Sequence, residues 1–275
     1  MMKTINFLFG ATLVLCLTIF SFTHSKAQDN SFIISIDYMH TTSANDYINL
    51  ERTVYKPLHE YSVNNGEKLG WILYEIIYPY GEDTKYNYAT VNFYKDAKQA
   101  LDMSWTDFMV GFNEIHPDLD VAKVDQKTQN SRTLVKGEMF AMVDEAIPGF
   151  SNKPSEYISV NHMVISPGKD QEYIGMEMEI WKPVHQQRIK EGNAEDWYLF
   201  RRMFPYGAEF GYQYVTVDAH GTLEKMITPN SNTTWSSAHP DKAELEYQDK
   251  TSELRTLKRQ ETWRIIDFTF GSDNE

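Results

Sequence analysis

Two short helical patterns in the chain bring together residue types that support acid–base chemistry. In the first pattern, Glu51, Tyr55 and His59 are spaced four residues apart. Residues at this spacing lie along one face of an α-helix, so a carboxyl, an aromatic ring and an imidazole would share one stripe. The second pattern has the same spacing and consists of Glu177, Trp181 and His185.

The two histidines are the candidate catalytic residues, because an imidazole with an unperturbed pKa of about 6.5 can exchange a proton near neutral pH. The glutamates and aromatic residues of both patterns would line a ligand pocket between helix and sheet. The alternative interpretation is the shoulder of an amphipathic helix. In that case each histidine hydrogen-bonds carbonyl groups freed by a nearby proline, Pro57 or Pro183.

Tyrosine and arginine side chains supply further candidate ligand contacts. Tyr86 and Tyr88 alternate along a predicted strand, which places their hydroxyls on one face, either as the floor of a cavity or as aromatic core. Arg132 precedes the last predicted strand of its half. Its guanidinium would bind the carboxylate of a ligand or form a structural ion pair. The corresponding residues of the second half are Tyr212, Tyr214 and Arg255.

These candidate residues belong to a sequence that occurs twice. The stretch 47–91 aligns with 173–217 without a gap, and the similarity extends beyond both ends of these blocks. Self-similarity at this level indicates two copies of one supersecondary unit. We therefore divide the chain into a first repeat, 28–145, a linker, 146–156, and a second repeat, 157–275.

Each repeat carries the predicted element order β-α-β-β-α-β. The segment from Trp71 to Tyr78 is apolar on both alternating faces, which indicates a strand covered on both sides. A loop separates it from the strand predicted for 86–94, so the two strands should form a hairpin. Pro57 and Pro183 lie inside the first helix of their repeats and predict a kink or a helix restart.

This element order, together with the duplication, resembles the dimeric α/β-barrel superfamily in a tandem form. The resemblance implies an α+β fold of two tandem ferredoxin-like βαββαβ units, packed sheet to sheet as an intramolecular pseudo-dimeric α/β barrel. The superfamily includes small monooxygenases, haem-degrading and haem-dependent enzymes, lactone isomerases and stress-responsive proteins. The fold alone does not choose among these activities.

The N-terminus predicts export. Residues 1–27 combine an early Lys3, an apolar run over 7–22 and the small-x-small sequence Ser25-Lys26-Ala27, as in a cleaved secretory signal. The expected location is therefore periplasmic or extracellular, with no membrane span after cleavage. The single cysteine, Cys16, falls within the signal, so the mature chain has no thiol for disulfides, thiolate metal sites or nucleophilic catalysis.

Charge and missing motifs exclude several classes of function. The formal net charge is −13, whereas a nucleic-acid partner requires clustered basic residues. The sequence also lacks the G-x-S-x-G, H-E-x-x-H, G-x-G-x-x-G and P-loop signatures of common hydrolase, zinc and nucleotide sites. No metal site is predicted.

We expect an exported protein that binds a small apolar or aromatic molecule, and the sequence leaves catalysis and oligomeric state undecided. One alternative is a cofactor-light monooxygenase or isomerase in which His59 or His185 moves a proton. A haem-binding enzyme would use one of the same histidines as its axial ligand. The third alternative is a non-catalytic interaction module of the cell envelope. No cofactor is required by the sequence.

Overall fold

The structure is a computed structural model that describes residues 31–81, 84–102, 104–149, 152–228, 231 and 233–271. The predicted signal segment, 1–27, lies outside the described residues.

The first half of the chain forms four strands and five α-helices within the described residues. In chain order they are β1 (Ile33–His40), α1 (Ala44–Leu50), a π-helical turn (Glu51–Tyr55), α2 (Lys56–Asn64), β2 (Gly70–Tyr78), β3 (Tyr88–Tyr94), α3 (Ala97–Asp102), α4 (Trp105–Ile115), α5 (Val121–Ser131) and β4 (Thr133–Glu145).

The second half has the same succession of strands and helical regions. Its elements are β5 (Tyr157–Ile165), α6 (Asp170–Met176), a π-helical turn (Glu177–Trp181), α7 (Lys182–Lys190), β6 (Asp196–Phe204), a 3₁₀ turn (Ala208–Phe210), β7 (Tyr214–His220), α8 (Leu223–Ile227), α9 (Thr234–Ala238), α10 (Glu244–Leu254) and β8 (Arg255–Phe270).

The eight strands form one closed antiparallel barrel in the order β1-β3-β2-β8-β5-β7-β6-β4. Each half contributes four strands, and the halves join where β2 pairs with β8 and β4 pairs with β6. The expectation of two sheets packed face to face is therefore corrected. The halves meet edge to edge, because each sheet hydrogen-bonds its two edge strands to those of the other and thereby leaves no free edge.

The wall of the barrel separates two apolar environments, which explains why the strands are apolar on both faces. Ile72 and Tyr74 of β2 belong to the large core inside the barrel. Their neighbours Trp71 and Leu73 instead pack outside the wall against Tyr47 of α1. Successive side chains of a strand point to opposite sides, so the first helix of each half covers the outer face.

A π-helical turn precedes each of the two helix prolines, at the place where the sequence predicts a kink or restart. Pro57 and Pro183 lie in the first turn of α2 and α7, directly after the π-helical turns. The missing proline N–H costs no α-helical hydrogen bond at the start of a helix. The chain thus accommodates each proline by one wider turn.

Two histidines outside the first helices donate hydrogen bonds to carbonyl groups near the prolines. His116 Nε2 donates to the Val54 carbonyl at 2.9 Å, and His239 Nε2 donates to the Ile180 carbonyl at 2.7 Å. The expectation that His59 and His185 fill this role is wrong. His116 and His239 follow the ends of α4 and α9, so they connect these helices to the π-helical turns.

We predict that His239→Phe, which keeps a ring beside Trp235 but loses the donor, lowers the free energy of unfolding by about 1 to 3 kcal/mol, since it leaves a buried carbonyl unpaired. The matched control is Ser237→Ala, at an exposed position of α9. Urea unfolding followed by tryptophan fluorescence measures both variants. Equal stability of the two would contradict a structural role for His239.

Candidate functional site

A cavity of about 430 Å³ occupies one end of the barrel interior. Its lining is dominated by aliphatic and aromatic side chains from strands of both halves. The residues with apolar side chains that line it along the strands are Ile34, Ile36, Ile72, Tyr74, Val91, Phe93, Phe140, Ile158, Val160, Tyr198, Phe200, Val215, Val217, Ala219, Trp263 and Phe270. Cavities of a few hundred Å³ lined in this way are typical binding sites for small apolar ligands.

The linker between the two halves forms part of the cavity mouth. Asp196 Oδ1, at the start of β6, accepts hydrogen bonds from the backbone N–H groups of Ile147 and Trp197, at 3.3 and 2.7 Å. Burial raises the pKa of the Asp196 carboxyl. The Gly149 N–H donates to Glu145 Oε1 at 2.9 Å. These bonds hold the linker beside the opening, where polar groups meet the otherwise apolar lining.

An aromatic layer closes the inner end of the cavity. The ring centroids of Tyr74 and Trp263 are 5.5 Å apart, and Tyr38 meets Trp263 edge-on at 5.9 Å. Tyr38 and Trp263 are buried completely or almost completely. Beyond this layer, toward the opposite mouth, the interior of the barrel changes from apolar to charged.

The charged layer contains two clusters, each centred on one glutamate and built from residues of both halves of the chain. In the first cluster, Lys136 Nζ donates to Glu138 Oε2 at 2.8 Å, and Arg202 Nη1 lies 3.3 Å from Glu138 Oε1. The Tyr212 hydroxyl also donates to Glu138. Burial acts to raise the pKa of Glu138, but the Lys136 and Arg202 cations hold it below its usual value. Glu138 is therefore ionised.

The second cluster repeats this arrangement around Glu261. Arg259 pairs with Glu261 and donates to the Tyr86 hydroxyl. The Tyr86 hydroxyl and Trp263 Nε1 donate to the two oxygens of Glu261, each at 2.8 Å. Glu261 is fully buried. The sequence shows that Glu138 and Glu261 are equivalent, but it gave no reason to place them inside a barrel.

Tyr86 and Tyr88 lie on opposite sides of the barrel wall, contrary to the expectation that they share one face. Tyr86 belongs to the interior core, whereas Tyr88 packs outside with Trp71. β3 begins only at Tyr88, so strand alternation does not apply to Tyr86. The second half is divided in the same way, with Tyr212 inside and Tyr214 outside.

The stripe Glu51, Tyr55 and His59 contacts three separate partners outside the wall. Glu51 is buried in the field of Arg132, and the Tyr55 hydroxyl lies 2.6 Å from Thr128 Oγ1. The remaining member, His59, stacks on a buried tryptophan of β2, at 4.7 Å between ring centroids. The three side chains do not converge on a common cavity among the described residues.

The second stripe has matching contacts. Glu177 Oε1 lies 3.8 Å from Arg255 Nε, and Trp181 Nε1 donates to Thr251 Oγ1 at 2.8 Å. His185 stacks on Trp197 at 4.9 Å. Arg255 thus lies within ion-pair distance of a glutamate of its own half, whereas Arg132 acts on Glu51 through its charge.

Both predicted histidines are neutral at pH 7 and stand apart from the cavity. Burial lowers the pKa of His185 to about 4, and it lowers the pKa of His59 as well, where Lys68 adds to the effect. Lys68 Nζ donates to His59 Nδ1 at 3.0 Å, and Arg188 Nη1 donates to His185 Nδ1 at 3.1 Å. Neither ring lines the cavity.

The cavity does not fit a haem bound through the predicted histidines, because both imidazoles lie on the far side of the barrel wall. Among the described residues, no group of three histidine, cysteine or carboxylate side chains is arranged to hold a metal ion. Across the described ranges, none of the helices combines the length and the apolarity needed to cross a bilayer.

The chain is similar to several solved structures. A protein of Fusobacterium nucleatum subsp. nucleatum ATCC 25586 named "Putative monooxygenase" matches 88% of this chain and 95% of its own, with a TM-score of 0.51 and 10% identity. A "Putative Chlorite dismutase" matches 86% and 95%, with a TM-score of 0.47 and 11% identity. A haem-binding protein of Thermus thermophilus matches 86% and 92%, with a TM-score of 0.45 and 6% identity.

At 10% identity, the similarity to the Fusobacterium nucleatum protein shows the fold alone. The chain has a mixed α/β fold that resembles the dimeric α/β-barrel proteins. No protein-family model matches it, and no curated protein matches it in sequence.

The two outer glutamates make the stability of the fold depend on pH. Burial raises the pKa of Glu51 and of Glu177 from 4.5 to about 7, although Arg132 and Arg255 oppose this shift. Between pH 4.5 and about pH 7, these two carboxyls keep their protons in the folded chain and lose them in the unfolded chain. The free energy of unfolding therefore falls as the pH rises from about 4.5 through about 7, by on the order of 3 kcal/mol for each carboxyl.

We predict that the double variant Glu51→Gln and Glu177→Gln removes most of this decrease, because an amide carries no charge to desolvate at high pH. Urea unfolding at pH 5 and pH 8 measures the effect. Glu60→Gln, at an exposed position of α2, serves as the control and should keep the decrease of the unchanged protein. A double variant with the same pH dependence as the control would refute the assignment.

Proposed function

We propose that this protein is an exported binding protein that encloses a small apolar or aromatic molecule in the interior of its barrel. The observation that carries the proposal is the apolar cavity of about 430 Å³. A dry apolar cavity of about 150 Å³ is large enough for benzene. The barrel therefore has room for a molecule of one or two rings, and its aliphatic and aromatic lining would bind that molecule by burying its surface.

We further infer that the chain consists of two tandem units and is exported. The spatial orders β4-β1-β3-β2 and β8-β5-β7-β6 support the interpretation of two tandem ferredoxin-like units, which one gene duplication would have produced. In this view each unit supplies half of the cavity wall. The N-terminal signal-like segment supports export to the periplasm or the extracellular space.

We infer binding without a catalytic step. No histidine lines the cavity, and the low pKa of His185 makes it a weak base near neutral pH. A monooxygenase or isomerase acting through His59 or His185 would need a second pocket outside the barrel wall. Binding in the interior is thus the function that the geometry supports best.

We predict that Val217→Phe weakens the binding of naphthalene by at least about tenfold, because the larger ring occupies the space of the ligand. Val217 lines the cavity. The control Val110→Phe adds the same ring on α4, where the valine is 56% exposed. The fluorescence of naphthalene, titrated into each purified protein, reports the affinity. Equal affinities of the two variants, or no saturable binding to the unchanged protein, would overturn the proposal.

A further inference from the structure

The second mouth of the barrel, beyond the aromatic layer, carries charges that do not balance. Lys136, Arg202 and Arg259 converge there on only two carboxylates, Glu138 and Glu261. The cluster thus has one cation more than its carboxylates neutralise. A bound anion would balance this excess positive charge, because the partly exposed cations Lys136 and Arg259 can take a further partner.

Two buried polar atoms in this cluster lack a partner among the described residues. The Nε atoms of Arg202 and Arg259 make no hydrogen bond. The His162 side chain, which is only 2% exposed, also lies in this cluster. Its ring lies 4.5 Å from that of Tyr212. Buried polar groups are normally hydrogen-bonded, so these two Nε–H groups are free to donate to a ligand.

Exposed aromatic side chains surround this mouth. They lie at the ends of β2 and β6 or in the loops that follow these strands. The ring of one of them, Phe210, lies 5.5 Å from the Arg202 guanidinium. Tyr78 and Tyr80 contact each other edge-on at 5.4 Å. The exposed aromatic residues are Tyr78, Tyr80, Phe204, Tyr206 and Phe210. Such rings would hold the flat body of a ligand whose anionic group reaches the cations.

We propose that this mouth is a second binding site and that it takes small aromatic carboxylates. The Arg202 guanidinium, with the adjacent ammonium group of Lys136, would hold the carboxylate, because guanidinium groups bind carboxylates by paired hydrogen bonds. The side chains of Lys136 and Arg259 are 31% and 39% exposed, so an anion can reach them from solvent. The Arg202 side chain is only 3% exposed and lies deeper, so the carboxylate must pass these two cations to reach it. A flat protein or membrane surface would not contact the donors inside the wall.

The two halves differ at two residues of this site. Ile76 occupies in the first repeat the position that Arg202 occupies in the second, and Tyr38 stands in the position of His162. The site therefore lies on one side of the approximate twofold axis. We expect one carboxylate per chain rather than two.

This site is independent of the cavity proposed above, because the Tyr74 and Trp263 rings separate the two. A variant that fills the cavity, Val217→Phe, should consequently leave carboxylate binding unchanged. Loss of carboxylate binding in that variant would place the ligand in the cavity and would overturn the second site.

Calorimetric titration at low ionic strength tests the proposal with benzoate, acetate and benzyl alcohol. We expect benzoate to bind with a stoichiometry of one. Acetate should bind more weakly because it has no ring, and benzyl alcohol should not bind because it has no charge. Arg202→Gln should weaken benzoate binding by at least about tenfold, the scale of one lost charge-assisted hydrogen bond. The matched control is Arg201→Gln, at the adjacent exposed position of β6.

Since Arg202 also pairs with buried Glu138, a rim variant covers the case in which Arg202→Gln fails to fold. Tyr206 is 73% exposed, so Tyr206→Ala should fold normally. We expect it to weaken the binding of benzoate and to leave that of acetate unchanged. The proposed site would be overturned if benzoate showed no saturable binding. It would also be overturned if Arg202→Gln and Tyr206→Ala bound benzoate as tightly as the unchanged protein.

Discussion

Pairing between the edge strands of the two halves is the interaction on which the rest of the structure depends. β2 joins β8 and β4 joins β6 by antiparallel ladders, and these two seams turn two four-stranded sheets into one barrel. Neither sheet alone would have a protected edge or a dry inner face. The main core draws residues from both halves, such as Ile36 and Val160, so the interior exists only when both seams are formed.

Closure of the barrel also determines which chemistry each side chain meets. Positions that point inward enter either the apolar cavity or the charged layer, and positions that point outward meet the helices. Glu138 and Glu261 therefore pair with cations inside the wall, whereas Glu51 and Glu177 are buried outside it beneath the first helix of each half. The same residue type has a lowered pKa at Glu138 and raised pKa values at the two outer positions.

Much of the scaffold could be predicted from the sequence, because its signals are local. The apolar run Trp71 to Tyr78 coincides with β2, and the duplicated proline after Lys56 marks the helical irregularity in the first half. The face of Tyr86 could not be predicted by counting alternate residues, because the strand starts two positions later. The cavity could not be predicted from the sequence, because its lining comes from strands that become neighbours only through the two seams.

The most direct test of the closed, hollow barrel is a methyl NMR titration of the isoleucine- and valine-labelled protein with toluene. A hollow barrel predicts saturable shifts confined to cavity methyl groups, such as those of Ile34, Ile72 and Val91. Val54 and Val184, which belong to the outer helical segments and pack against other helices, should stay unchanged. Shifts at Val54 and Val184 without shifts at the cavity residues would contradict a hollow barrel.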